Sequence, residues 1–145
     1  YIHQGQGILI SDLTAGDKTM TFSIRPAFES KGVIDQKIWG IGDDLSGNSI
    51  KISSGFMQFG NFKVLRWTKD FDGFIFDKQV QVDALLLSGN PRINVKTLTE
   101  YVRFSVLLID ATNPDYRIEQ WQKEAQEFGL AVRVLKKNPA HVIKL

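Results

Sequence analysis

Two kinds of hydrophobic pattern divide the chain. Up to about residue 80, apolar positions come in short runs or alternate with polar ones. "GILISDL" is a compact apolar run, and in "KTMTFSIR" Met20, Phe22 and Ile24 alternate with Thr21, Ser23 and Arg25. A period of two predicts a half-buried strand, entered from a turn at Gly16-Asp17. "PAFESKGVID" has room for one helical turn, and "KIWGIG" and "SIKIS" predict further short strands. Ser54-Gly55 and Gly60-Asn61 cut "SIKISSGFMQFGNFKVLRWTK" into three segments whose spacing suits an antiparallel meander with tight turns.

From there the pattern changes. "VDALLLS" and "SVLLIDA" are continuous apolar runs, whereas "NVKTLTEYV" carries Val95, Leu98 and Val102 at helical spacing. "RIEQWQKEAQEFG" does the same with Ile118, Trp121, Ala125 and Phe128. Strands that are apolar on both faces need cover on both faces, so their alternation with amphipathic helices predicts parallel pairing through crossovers. The expected architecture is a mixed α/β fold: an antiparallel β-meander over residues 1–80, then a β-α-β-α-β unit over 81–145 ending in "AVRVLKK" and a last strand, "HVIKL". At 145 residues, 43% of them hydrophobic, the chain suits one globular core, hence a single soluble domain over 1–145. It opens inside what reads as a strand, which implies a piece of a longer protein.

Asn-Pro occurs at 90–91, 113–114 and 138–139, each time just after a strand. Asn tolerates turn and cap geometry and Pro stops the strand, so a structural role accounts for the repetition. Asn113 reads as a helix N-cap with Pro114 at the first helical position, and Gly129 is placed to end that helix.

Charge and composition exclude more than they assign. Lys and Arg number 18 against 16 Asp and Glu, a formal charge of +2, far from the basic balance of a dedicated nucleic-acid binder. Residues 1–72 hold eight basic and eight acidic side chains, and residues 73–145 hold ten and eight. Arg133, Lys136, Lys137 and Lys144 form a cluster uninterrupted by acid. With no Cys there is no disulfide, thiolate metal site or Cys nucleophile. No apolar stretch approaches the ~20 residues of a membrane helix, and no signal-peptide pattern is present.

The candidate metal chemistry is thin. His3 and His141 are the only histidines, too few to build a hydrolytic zinc centre. Asp70, Asp72, Gly73 and Asp77 in "KDFDGFIFDK" resemble part of a calcium loop but lack its closing Glu and flanking helices, so they read as a polar turn. Asp43-Asp44 is likewise a turn signal. "GQG" at 5–7 is too short for a phosphate loop. Trp39, Trp67 and Trp121 sit among apolar neighbours and read as core, not as stacking platforms.

Two stretches carry a family resemblance. "YIHQGQGILI" resembles the Asp-Val-Gly-Gln-Gly-Asp-Ala-Ile-Leu-Ile signature that opens the metallo-β-lactamase-like domain of ComEC competence proteins, the membrane channels for DNA uptake. Gln4, Gly5, Ile8, Leu9 and Ile10 match it, while Tyr1, His3, Gln6 and Gly7 depart. That family's later Ser-His-x-His-x-Asp-His signature falls on "SGNPRIN", where Ser88 matches but Gly89, Pro91, Ile93 and Asn94 stand at the three His and the Asp. The run "VDALLLSGNP... VLLIDATNPDYRIEQWQKEAQEFGLAVRVL" is similar to the C-terminal region of ComEC proteins of Bacteroidetes type, with Ser-x-Asn-Pro, then Asp-Gly-Ser-Asn, then a Trp-bearing helix.

The resemblance implies an incomplete metallo-β-lactamase-like domain, catalytically degenerate, with no catalytic residue, no metal and no cofactor. It would be a soluble, extracytoplasmic part of a bacterial inner-membrane protein, partnered by the channel part of the same polypeptide and by DNA held weakly and salt-sensitively. Arg92, Arg133, Lys136 and Lys137 are the expected DNA contacts. In the parallel unit, Ser88, Gly89 and Asn90 should meet Asp110, Thr112 and Asn113 at one sheet edge, where helix N-termini and Gly89 could receive an anion. The same residues could instead only cap and turn the chain, with Asp110 accepting from the local N–H groups. Two readings of other classes remain: a metal-independent phosphoesterase using Asp110, and a protein-interaction module without nucleic acid.

Overall fold

A computed structural model describes residues 1–11, 13–14, 16–40, 42–47 and 49–136. They form two compact units, Tyr1–Asp44 and the chain from Leu45 onward.

In the first unit, β1 (Ile2–His3) and β2 (Gln6–Ile10) form a hairpin, and β3 (Asp35–Trp39) lies parallel to β2 with Ile10 opposite Trp39. A parallel pair needs a crossover, and the chain builds it from the segment whose alternation suggested a strand. Met20–Ile24 is a π-helical turn that runs into α1 (Arg25–Glu29). Met20, Phe22 and Ile24 satisfy a period of two, but Met20, Ile24 and Phe28 also fall four apart, and it is these three that are covered. Met20 is 2% exposed and Phe22 76%, which settles the period as helical. Asp17 starts the turn: its Oδ1 accepts from Thr19 N (2.7 Å) and its carbonyl from Thr21 N (3.2 Å). The helical turn foreseen in "PAFESKGVID" is α1 itself. Its packing explains Gly7: a Cβ there would stand 2.8 Å from Val33 Cγ1 and 3.1 Å from the Phe28 ring.

The second unit is built on a seven-stranded sheet of order β12-β11-β9-β7-β6-β5-β4. β4 (Leu45–Ser46), β5 (Ile50–Ser53), β6 (Phe56–Phe59) and β7 (Phe62–Trp67) are the expected antiparallel meander plus a short outer strand. Next come β8 (Val80–Gln81), β9 (Ala84–Leu87), α2 (Val95–Tyr101), β10 (Val102–Arg103), β11 (Val106–Ile109), α3 (Asp115–Glu127) and β12 (Ala131–Val134). The β-α-β-α-β reading holds for β9 to β12, all parallel, and β7 joins them in parallel on the other side of β9. The short parallel pair of β8 and β10 carries no pattern in the sequence; it takes Val102 out of the helix expected there. The expected last strand, "HVIKL", the third Asn-Pro, Lys137 and His141 lie outside the described residues.

The core sits between the sheet and its two helices. Leu65, Trp67, Leu85, Leu87, Leu107 and Ile109 face Val95 and Leu98 of α2 and Ile118, Trp121 and Ala125 of α3. The largest of these stabilise by about 1.5–3 kcal/mol each when fully buried. Alternate residues Val64, Ala84 and Leu108 build a smaller apolar cluster with Met57, Phe59 and Phe62, so the continuous apolar runs are accounted for on both faces. None of the described helices is long and apolar enough to cross a membrane.

Candidate functional site

The four parallel strands end level. Trp67 pairs with Leu87, Leu87 with Ile109, and Ile109 with Val134. Whatever follows each strand is therefore delivered to one edge: Thr68, Ser88, Asp110 and Leu135. The ladder continues for one bond beyond the strands, from Ser88 N to Trp67 O (3.0 Å), Asp110 N to Leu87 O (3.2 Å) and Leu135 N to Ile109 O (2.8 Å). This is the sheet edge at which open α/β folds place ligands.

Here the two loops are locked together. Gly89 N donates to Thr112 Oγ1 (2.7 Å) and Asn90 N to Asn113 Oδ1 (2.9 Å). Asn113, 1% exposed, returns its Nδ2 to Leu87 O (2.9 Å), Asp110 O (3.2 Å) and Asp110 Oδ1 (3.0 Å). Asp110 Oδ1 also accepts from Thr112 N (2.9 Å) and, very closely, from Thr112 Oγ1. Ser88, buried, accepts from Arg66 Nη2 (3.2 Å). Thus the structure brings together Ser88, Gly89, Asn90, Asp110, Thr112 and Asn113, and spends the N–H groups of residues 88–90 and 112 on internal acceptors. Gly89 and Asn90 adopt φ of +72° and +56°, and a Cβ on Gly89 would meet nothing within 4 Å. The backbone turn, not crowding, is what calls for glycine at 89.

The helix starts are occupied as well. Asn94 caps α2, accepting from Thr97 N (2.8 Å), and Val95 N donates to Glu124 Oε2 of α3 (2.7 Å). Glu124 thereby supplies its own carboxylate where an anion would bind. At α3 the cap position falls on Pro114, not Asn113, because the Asn113 amide is turned sideways onto β9. Asp115 sits in its first turn, paired with Lys136 at 2.8 Å. Gly129 ends the helix at φ +65°, with Leu130 N bonded to Ala125 O (2.9 Å).

Beside the lock, the stretch 90–94 opens onto a groove of about 550 Å³. Its walls bring three cations, Lys69, Arg92 and Arg117, together with the amides of Asn90, Asn94 and Gln120 and the exposed ring of Tyr116. Both carboxylate oxygens of Asp72 accept from Arg92 N (2.8 and 3.0 Å), which seats that loop on the turn after β7. Arg117 donates to Pro91 O (2.7 Å), Ile93 O (3.2 Å) and Gln120 Oε1 (2.9 Å), and its guanidinium carbon lies 4.8 Å from the Trp121 ring centre. All three acceptors are neutral. Among the described residues, the ion pairs within 4.0 Å are Lys37–Asp35 and Lys136–Asp115, so none of the groove's cations is neutralised by a carboxylate.

A family model for the ComEC C-terminal domain matches residues 1–145. The chain belongs to the ComEC C-terminal domain family. Membership carries with it a role in competence DNA uptake. Among curated proteins and among solved structures, none matches the chain.

The signature that residues 88–94 resemble calls for metal ligands that this stretch does not carry. Gly89, Pro91, Ile93 and Asn94 offer no imidazole or carboxylate, and Ile93 turns its carbonyl to Arg117 and Trp121 Nε1 (2.8 Å). Among the described residues, no three His, Cys, Asp or Glu converge to hold a metal ion. Asp70 and Asp72 serve the turn after β7, where Thr68 Oγ1 accepts from Asp70 N (3.3 Å), and Asp43 Oδ2 accepts from Gly40 N (2.9 Å). Of the cations expected to meet DNA, Arg92 lines the groove, Arg133 is exposed on β12 outside it, Lys136 is engaged by Asp115 and Asn113 O (3.4 Å), and Lys137 lies outside the described residues. Lys69, Tyr116 and Arg117 were not legible as site residues. They come from a short turn and from the outer face of α3, and only the contacts of Asp72 and Arg117 with the 91–93 loop gather them.

Proposed function

We propose that this domain is a non-cutting member of the ComEC C-terminal family that contacts incoming DNA, or braces the channel that admits it, on the extracytoplasmic side. The observation that carries the reading is the substitution of the whole ligand motif by Gly89, Pro91, Ile93 and Asn94 while the strand-loop-helix frame around it is kept and locked by Asn113. Loss of every ligand with retention of the frame favours a binding role over hydrolysis. Asp110 is given no role as a base, because its Oδ1 already accepts from Thr112 and Asn113 and orders the loop. DNA contact is electrostatic and weak: Lys136 is paired with Asp115, and even if Arg92, Arg133, Lys136 and Lys137 all met phosphates, about four contacts would give a salt slope of only about −3 log units of affinity per log unit of salt. The channel part of the polypeptide would then supply the rest of the affinity by holding the domain close to the strand.

The test is cleavage. The purified chain, incubated with labelled single- and double-stranded DNA and added Mn2+ or Zn2+, leaves both intact, and elemental analysis finds no stoichiometric metal. Chelator-sensitive cleavage with bound zinc or manganese would overturn the reading.

A further inference from the structure

The groove beside residues 90–94 has a composition that its surroundings do not use. Arg117 is half-buried, yet its acceptors are two backbone carbonyls and an amide oxygen, so no carboxylate offsets its charge there. A partly buried cation of this kind gains most from an incoming anion. Of the acids on the same helix, Asp115 pairs with Lys136 and Glu124, two turns on, is taken up by Val95 N and Gln120 Nε2 (2.7 Å each). Lys69 and Arg92 are exposed on the same groove, and neither makes an ion pair among the described residues. Next to the three cations, Tyr116 presents a ring that is 65% exposed although it stands at the groove wall in the first turn of α3.

Cations that track phosphates and an exposed aromatic ring beside them are the two components by which proteins hold unpaired bases and their backbone. We propose that this groove is a binding site for single-stranded DNA, in which Lys69, Arg92 and Arg117 take backbone phosphates and Tyr116 stacks on one base. A duplex buries its base faces in its own stack and leaves Tyr116 nothing to pair with, so the site prefers the single strand. The inference rests on the DNA-contact reading above and narrows it to a place and a strand state.

Fluorescence anisotropy on the 145-residue chain, with a labelled oligothymidine and a duplex of equal length, tests it across a salt series. Three phosphate contacts give the oligothymidine a slope of roughly −2, and Lys69→Gln with Arg92→Gln brings it to roughly −0.7. Lys51→Gln with Lys63→Gln, which removes as much charge from the antiparallel strands, leaves the slope near −2. Tyr116→Ala weakens the single strand on the order of tenfold and Tyr116→Phe restores it, with duplex binding unmoved by either. Arg117 is left in place because it also holds the 91–93 loop. Equal losses from the two lysine-containing pairs, or no effect of Tyr116→Ala, overturn the groove while DNA contact stands. Failure of the unsubstituted chain to bind any DNA at low salt overturns both.

Discussion

Asn113 holds the carbonyl of Leu87, 26 residues before it, through Nδ2 at 2.9 Å, and with Oδ1 it holds the N–H of Asn90 at the same distance. One buried amide thus satisfies an acceptor at the end of β9 and a donor in the loop that follows, and ties both to β11. Asn113→Ala leaves Asn90 N–H without its acceptor and Leu87 O with Asp110 N alone, at 3.2 Å, and an unsatisfied buried group costs about 1–3 kcal/mol. Urea denaturation should show a loss of about 2–4 kcal/mol. Asn113→Asp should be at least as damaging, because it aims an oxygen at Leu87 O and sets a second carboxylate beside Asp110. A substitution within about 0.5 kcal/mol of neutral would mean that the lock does not hold the loops.

Trp67 and Trp121 are both fully buried but differ in their indole N–H. Trp121 Nε1 donates to Ile93 O (2.8 Å), whereas Trp67 Nε1 has no hydrogen-bond partner among Phe71, Phe76 and Tyr101 around it. Trp67→Phe removes a desolvated donor along with some packing. Trp121→Phe removes a made bond and the ring face under Arg117. The second should therefore cost more than the first, by about 1–2 kcal/mol in matched urea titrations. Equal costs, or the reverse order, would contradict the difference in pairing.

Gly7 admits the crossover helix against β2. Gly7→Ala drives a methyl into Val33, itself 8% exposed, at a separation no Cβ tolerates. Overpacking of this kind costs about 1–3 kcal/mol. Adding Val33→Ala should recover part of that cost, so the double-mutant cycle should show favourable coupling, read from thermal melts of the 145-residue chain by far-UV circular dichroism. Strict additivity would place the two side chains out of contact.

The sheet's second half was legible because β9 and β11 are apolar throughout and each helix carries one stripe, so the period separates them without tertiary information. The meander was legible from Ser54-Gly55 and Gly60-Asn61. Residues 18–29 were not, since Met20 and Ile24 fit both a period of two with Phe22 and a spacing of four with Phe28, and only the burial of Met20 against the exposure of Phe22 decides. Meeting of the 88–90 and 110–113 loops followed from parallel pairing alone, because level strands deliver their loops to one edge. How those loops spend their hydrogen bonds did not follow: Asn113 looks like a cap by its neighbour Pro114, and only its burial against Leu87 shows it to be a cross-strand tie. The groove was least legible, as Lys69 and Arg117 lie 23 and 25 residues to either side of Arg92 and carry no local pattern.

The claim that this ComEC domain meets DNA without cutting it is tested most directly by one salt titration of labelled single-stranded DNA, with the strand length read at the end. Binding should be measurable near 50 mM salt, fall by roughly 2–3 log units per log unit of salt, and vanish near physiological ionic strength with the strand intact. Tight binding that salt does not weaken, no binding at low salt, or a shortened strand would contradict it.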